Sequence, residues 1–282
     1  MMLAGMSLMA LVFFIVALIY PTLPNVSHLQ QYRPKEPLQV FSKEGLLIAE
    51  FGEERRNHVL IKHVPQKMIN AILAIEDRRF FEHPGIDIIG VLRAALKNIS
   101  GQGHEGASTI TMQVARNFFL SSERTFKRKI NEILLAIKIE NSLSKEEILE
   151  LYINQIYLGQ RAFGFSAAAN TYFNKSLAEL NLAESALLAG LPKAPSRYNP
   201  LVNPELAIQR QQAVLRSMLR HGYIDNATYQ IALEEAIDLR DSVSKRELKA
   251  DYVAEMVRQE LYAEFGEGIY TSGLKVFTTI KK

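Results

Sequence analysis

Between Pro65 and about Leu239, apolar residues recur every three to four positions, the spacing that gives a helix one dry face. The pattern predicts helices over 66–80, 87–98, 109–120, 124–141, 145–157, 162–172, 177–190, 204–221 and 226–235. Local signals mark several ends. His83-Pro84-Gly85 closes the first helix, and Ser144-x-x-Glu147 is a capping box opening the fifth. "NISGQGHEGAS", Asn98 to Ser108, is a Gly-rich break that reads as mobile. Two stretches depart from the helical period. "LQVFSKEGLLIAEFGEE", Leu38 to Glu54, reads as a short hairpin turning at Lys43-Glu44-Gly45. "GLKVFTTI", Gly273 to Ile280, is rich in β-branched residues and reads as a strand. No internal repeat is visible.

The chain opens on a different pattern again. Met1 to Tyr20, "MMLAGMSLMALVFFIVALIY", carries no charge and stops at Pro21. Twenty helical residues span about 30 Å, the hydrocarbon thickness of a bilayer. An uncleaved membrane anchor is the expectation. A cleaved signal peptide would want a shorter apolar core, a basic start and an A-x-A site, and none of these is clear. No Lys or Arg precedes the span, so its orientation is not marked; the nearest cations are Arg33 and Lys35. The expected organisation is an anchor over 1–20, a juxtamembrane connector over 21–37, a folded domain over 38–239 and a further connector over 240–282.

Composition narrows this only in part. With 282 residues, 48% of them hydrophobic and 22% charged, the chain can bury a sizeable core. A net charge of +3 does not argue for a nucleic-acid partner; it is compatible with an anionic substrate or membrane surface. Cysteine is absent, which excludes disulfides and thiolate zinc sites and fits any compartment.

Candidate chemistry begins with a carboxylate that interrupts an apolar face. On a helix over 65–80, Ile69, Leu73, Glu76 and Phe80 fall at i, i+4, i+7 and i+11. Partial burial and the negative end of the helix dipole would both disfavour a charged Glu76, as suits a general base. The alternative is a structural ion pair with Arg78, Arg79 or a distant arginine. A second carboxylate, Glu132, lies in "TFKRKINEILLAIKIE", Thr125 to Glu140. There Phe126, Ile130, Ile133, Leu134 and Ile137 are read as the apolar face. Arg128, Lys129 and Glu132 lie away from it, on a side shared with Leu135 and Ile139. That side either carries an ordinary i, i+4 ion pair or lines a cleft. Two carboxylates on separate helices, flanked by cations and aromatics, suit glycosyl chemistry. Between them "EGASTITMQVARNFFL", Glu105 to Leu120, runs from a Gly loop into a helix that Ser108 or Thr109 can cap. Its free N–H groups, with Gln113, Arg116, Arg128 and Lys129, can hold a phosphate or pyrophosphate; an ordinary capped helix is the alternative. Phe118-Phe119-Leu120 belongs either to the core or against lipid.

Five stretches, in order, resemble the peptidoglycan glycosyltransferase domain of class A penicillin-binding proteins. They are "EDRRFFEHPGID", "GASTITMQVARN", "RKINE", "ELYINQIYLGQRAFGFSAAANTYF" and "AESALLAGLPKAPSRYNP". The resemblance covers about Leu38 to Leu239. The anchor and the closing "YTSGLKVFTT" look like the same family's anchor and its connector toward a transpeptidase domain.

The resemblance implies a mainly α, lysozyme-like glycosyltransferase fold with an N-terminal transmembrane helix and short β elements at the domain edges. It implies a single-pass protein of the bacterial inner (cytoplasmic) membrane with its catalytic domain on the periplasmic, outer face. The implied reaction polymerises lipid II into glycan strands, inverts MurNAc C1 and releases undecaprenyl pyrophosphate. By the same resemblance Glu76 is the general base, and Glu132 positions the substrates or the leaving pyrophosphate. Ser108, Thr109, Gln113, Arg116, Arg128 and Lys129 match positions that contact phosphate or sugar. Asp77, Phe80 and His83 match site-shaping positions of the first motif, and Asn154 and Tyr157 match the fourth. Implied partners are lipid II, the growing glycan strand, membrane lipid and other cell-wall synthesis proteins. No covalent cofactor is expected; a divalent cation, magnesium or manganese, could neutralise the pyrophosphate. Met112 and Arg116 depart from the glutamine and lysine that many relatives carry. The full-length protein is expected to be a DD-transpeptidase as well, but Ser142-x-x-Lys145 and Ser242-x-x-Lys245 lack the companion S-x-N and K-T-G motifs and read as chance. Two rival readings are a lysozyme-like enzyme that cleaves finished glycan and a non-catalytic cell-wall scaffold.

Overall fold

The structure, a computed structural model, describes residues 14, 18–32, 34–52, 54–99, 106, 108–121, 123, 125–239 and 250–282. Five short strands are named: β1 (Leu38–Phe41), β2 (Leu47–Phe51), β3 (Arg55–Arg56), β4 (Ala162–Phe163) and β5 (Lys275–Phe277). The helices are α1 (Gln66–Glu76), α2 (Ile88–Ile99), α3 (Ile110–Phe119), α4 (Phe126–Glu140), α5 (Lys145–Gln155), α6 (Phe165–Phe173), α7 (Leu182–Gly190), α8 (Pro204–Arg220), α9 (Asn226–Glu234) and α10 (Asp251–Phe265). The fold is thus mainly α, as expected. Two compact units divide the chain, one of residues 1–32 and 76–152, the other of 33–75 and 153–282.

In the first unit α3 packs on α4. Each starts at a threonine whose hydroxyl accepts a backbone N–H that the helix leaves without a partner: Thr109 from Met112 and Thr125 from Arg128. Thr109 is therefore the cap, of the two residues foreseen. α5 opens on the expected box, with Ser144 N–H donating to Glu147 and Glu147 N–H to Ser144. Residues of the expected juxtamembrane connector pack in this unit. Lys138 Nζ donates to the carbonyls of Leu23 (3.3 Å) and Pro24 (3.0 Å), and Gln30 donates to the Ser142 carbonyl. His28 and Tyr32 meet Phe119 and Phe118 edge-on. This identifies the neighbours of the aromatic pair left open between core and lipid.

Two sequence expectations in this unit need correction. The first helix ends at Glu76, not at residue 80, and residues 78–82 form turns. Phe80 is fully buried, but it does not continue the helical face of Glu76. In α4 the buried positions are Glu132, Leu134, Leu135, Ala136 and Ile139, while Phe126 is exposed. The buried face is therefore centred on Glu132 rather than opposite it. Hydrophobicity alone misassigned this face because the helix buries a carboxylate, Glu132, beneath two cations that stay partly exposed.

In the second unit the hairpin forms as predicted. β1 and β2 pair antiparallel, and the turn is closed by Gly45 N–H donating to the Ser42 carbonyl. Gly45 has φ +85°, where a residue with a side chain would be strained. β5 lies parallel to β1, in the order β2-β1-β5. The C-terminal stretch read as a connector ending in a strand also holds α10. Ala254 and Ile269 join Leu38, Val40, Ile48 and Ala49 in one buried cluster. Elsewhere in this unit α7 packs on α8, and α7 opens on a capping box between Asn181 and Glu184. Among the described residues no helix is long and apolar enough to cross a membrane. The predicted anchor falls mostly on residues outside those described, and so do residues 100–105 of the Gly-rich break and the Ser242-x-x-Lys245 match.

Candidate active site

The first unit gathers most of the predicted site residues. Glu76 is the last residue of α1, and its Oε2 accepts a hydrogen bond from Gln113 Nε2 at 2.8 Å. Gln113 lies one turn inside α3 and is buried. The amide therefore fixes one carboxylate oxygen from a rigid element. Arg79 bonds elsewhere, to Asp87 at 2.7 Å.

The residues after Glu76 build the wall of the site. Asp77 is buried and caps α3, its Oδ2 accepting from Ile110 N at 3.0 Å. The same carboxylate meets His83 Nε2 at 2.9 Å. Thr109, besides capping α3, donates its hydroxyl to the Gly85 carbonyl at 2.6 Å. The loop over 77–87 is thus held against the start of α3 by side chains, because it has few backbone bonds of its own.

Glu132 is completely buried. Arg128 Nη1 stands 2.8 Å from its Oε2, and Lys129 Nζ stands 2.7 Å from its Oε1. One carboxylate with two cations leaves a net positive group. Lys129 also donates to Ser108 Oγ at 3.0 Å, at the residue just before the Thr109 cap. Ser108 is thus a neighbour of the cationic cluster rather than the helix cap. α3 consequently links the two acidic sites: Ser108 and Lys129 stand at its beginning, and Gln113 with Glu76 one turn along. Arg116 is half-buried in the last turn of α3, and its guanidinium has no side-chain partner among the described residues. A cationic cluster at a helix N-terminus suits an oxyanion.

The family model described as Transglycosylase matches residues 44–219. The chain belongs to the transglycosylase family. Penicillin-binding protein 1A of Neisseria lactamica is 56% identical over 263 residues, covering 93% of this chain and 33% of that protein. Penicillin-binding protein 1A of Pseudomonas aeruginosa is 51% identical over 262 residues, covering 93% of this chain and 32% of that one. The crystal structure of penicillin-binding protein 1A from Haemophilus influenzae matches with a TM-score of 0.52 at 37% identity, over 89% of this chain and 28% of that one. The chain spans about a third of the length of the curated relatives it matches. The family resemblance carried by the five motifs is therefore supported, and with it the lysozyme-like transglycosylase fold.

Within the transglycosylase frame, Asn154 stands apart from the other predicted residues. It belongs to the second unit, where its amide donates to the Val59 carbonyl (2.8 Å) and accepts from the Val59 N–H (2.9 Å). Those bonds fix the chain after β3. Sequence reasoning also missed a polar group beside the site. Lys145 Nζ donates to Glu140 Oε1 and to the His83 carbonyl, each at 2.7 Å, and Thr111 donates to the same Glu140 oxygen at 2.5 Å. The five-residue step from Glu140 to Lys145 crosses a helix end, so no helical spacing announced the pair. Among the described residues no group of three His, Asp or Glu side chains could hold a metal ion.

Proposed function

We propose that the chain is the glycosyltransferase part of a class A penicillin-binding protein and polymerises lipid II into glycan strands. Glu76 takes the proton of the acceptor's GlcNAc 4-hydroxyl as that oxygen attacks MurNAc C1 of the donor. The bond from C1 to pyrophosphate breaks with inversion, and undecaprenyl pyrophosphate leaves. Arg128 and Lys129 bind the pyrophosphate, with Ser108 supplying a hydroxyl, and Arg116 adds a further cation from the last turn of α3. Gln113 keeps the Glu76 carboxylate oriented, while Asp77, Phe80, His83 and Thr109 shape and hold the loop beside it. Asn154 contributes through the backbone it fixes.

The single observation that carries this reading is the buried Glu132 with its two cations, linked through Ser108 to the helix whose Gln113 holds Glu76. It favours transfer from a pyrophosphate over the cleavage of finished glycan, which has no such anion to grip. A magnesium or manganese ion would have to be held largely by the pyrophosphate itself. The side chains grouped here are cations, and their one carboxylate is already paired.

We further propose that the reaction occurs on the outer face of the bacterial cytoplasmic membrane, with residues 1–20 as the anchor and 240–282 leading toward a DD-transpeptidase domain. α2 supports a bilayer setting. Ile88, Ile89, Leu92 and Leu96 all expose more than half of their surface. Such an apolar patch is costly in water and stable at an interface. Membrane lipid, the growing strand and other cell-wall synthesis proteins are the partners of this reading.

Lipid II polymerisation by the purified chain in detergent, beside its Glu76→Gln variant, tests it. Strands from the parent and none from the variant are expected. Strands from both would remove Glu76 as the base, and shortening of mature glycan by the parent would favour the cleaving enzyme.

A further inference from the structure

Lys145 lies outside the set of residues assigned to the reaction, yet it joins the loop after Glu76 to α4 and, through Glu140, to α3. Its ammonium donates to the His83 carbonyl and to Glu140 Oε1, both at 2.7 Å, and lies 4.4 Å from the centre of the Phe80 ring. His83 and Phe80 belong to the loop that follows Glu76. Glu140 is the last residue of α4, two turns beyond Glu132. Its Oε1 also accepts from Thr111, in the first turn of α3, the helix that carries Gln113. One buried oxygen thus gathers α3 and α5, and the ammonium on it adds the loop. Glu140 and Lys145 side chains are 9% and 19% exposed, so water competes weakly for these bonds.

We propose that Lys145 is a positioning residue for the glycosyl transfer. It holds the 77–87 loop in register with α3 and α4, so that Glu76 faces the acceptor at the geometry set by Gln113. This rests on the function proposed above. The loop is fixed to α3 by Asp77 and Thr109, but its His83–Phe80 side is fixed to α4 and α5 through Lys145. Released there, the loop can tilt about its α3 contacts. A tilt moves Glu76 relative to the acceptor and leaves the Arg128–Glu132–Lys129 cluster in place. Misplacement of about 1 Å is enough to slow a transfer on the order of 100-fold.

The test compares Lys145→Met, Lys145→Arg and the double variant Lys145→Met with Glu140→Gln. The double variant covers the possibility that a buried carboxylate deprived of its cation prevents folding. Steady-state lipid II polymerisation and binding of the phosphoglycolipid moenomycin are both measured. Lys145→Met and the double variant should lower kcat at least tenfold, with KM for lipid II and the moenomycin Kd within about threefold of the parent. Lys145→Arg, which keeps the charge and the donors, should recover most of the loss. Amide exchange over residues 77–87 should speed up in the methionine variants and stay slow over α4. A folded double variant with parental kcat would overturn the inference and leave the glycosyltransferase reading intact. Equal losses in kcat, moenomycin binding and α4 protection would also overturn it, since they mark a merely structural lysine. A parent without polymerising activity would instead overturn the underlying reading.

Discussion

Glu132 carries the sharpest consequence at the scale of the residue. A carboxylate with no exposed surface is costly to bury without partners, and Arg128 and Lys129 supply them at 2.8 and 2.7 Å. Lys129→Met would leave Arg128 as the one remaining cation. The expected loss is about 2 kcal/mol of unfolding free energy, below the roughly 3–5 kcal/mol of a buried pair broken outright. Urea denaturation checks it, and an unchanged midpoint would mean that Lys129 adds nothing to the fold. The i, i+4 spacing of Arg128 and Glu132 was legible in the sequence. That their side of the helix is buried was not, since it depends on the α3 surface packed over it. Glu76 differs: its interruption of an apolar stripe was visible from spacing, while its partner Gln113 stands 37 residues away and only folding brings the two together.

At the scale of the element, the loop after α1 rests on one glycine. Gly85 has φ +87°, and a Cβ there would stand 2.9 Å from Glu140 Cγ and 3.0 Å from the Ala136 carbonyl. Gly85→Ala should therefore cost about 1–3 kcal/mol, because backbone strain and contact with α4 act together. It should also slow polymerisation by shifting the loop; a thermal melt and an activity assay on one preparation read both effects. α10 offers a different test. Hydrogen bonds from Arg258 and then Gln259 hold the Glu255 carboxyl down at about 2, against an ordinary value of 4.5. A depressed carboxyl stabilises the fold above its unfolded pKa, and that contribution fades as pH falls toward 2. The melting temperatures of the parent and Glu255→Gln should accordingly converge on acidification. A gap that persists at pH 2 would show that the carboxylate was not its source. The exposure of Glu255 keeps the effect small. α10 itself went unread in the sequence because its one buried residue, Ala254, and the partly buried Val257 and Leu261 make sense only against the hairpin.

For the whole molecule, the question is where catalysis happens. The apolar face of α2 predicts that Leu92→Glu with Leu96→Glu slows lipid II polymerisation several-fold in reconstituted vesicles and leaves the rate in detergent nearly unchanged. Equal rates in both settings would remove α2 from any membrane role. The amino-acid sequence by itself determined the helical class, most helix starts, the hairpin with its Gly45 turn, and the spacing that sets Arg128 and Lys129 one turn before Glu132. These follow from period, capping chemistry and short motifs, which act over a few residues. Only the tertiary structure decided which face of α4 is buried and that α1 stops at Glu76. It alone tied the segment before β1 to α3 and α4, and brought Thr111, Glu140 and Lys145 together against His83. Each of these depends on distant residues sharing one desolvated volume. There a buried charge or carbonyl must find its partner wherever the fold supplies one, and no local pattern encodes that meeting.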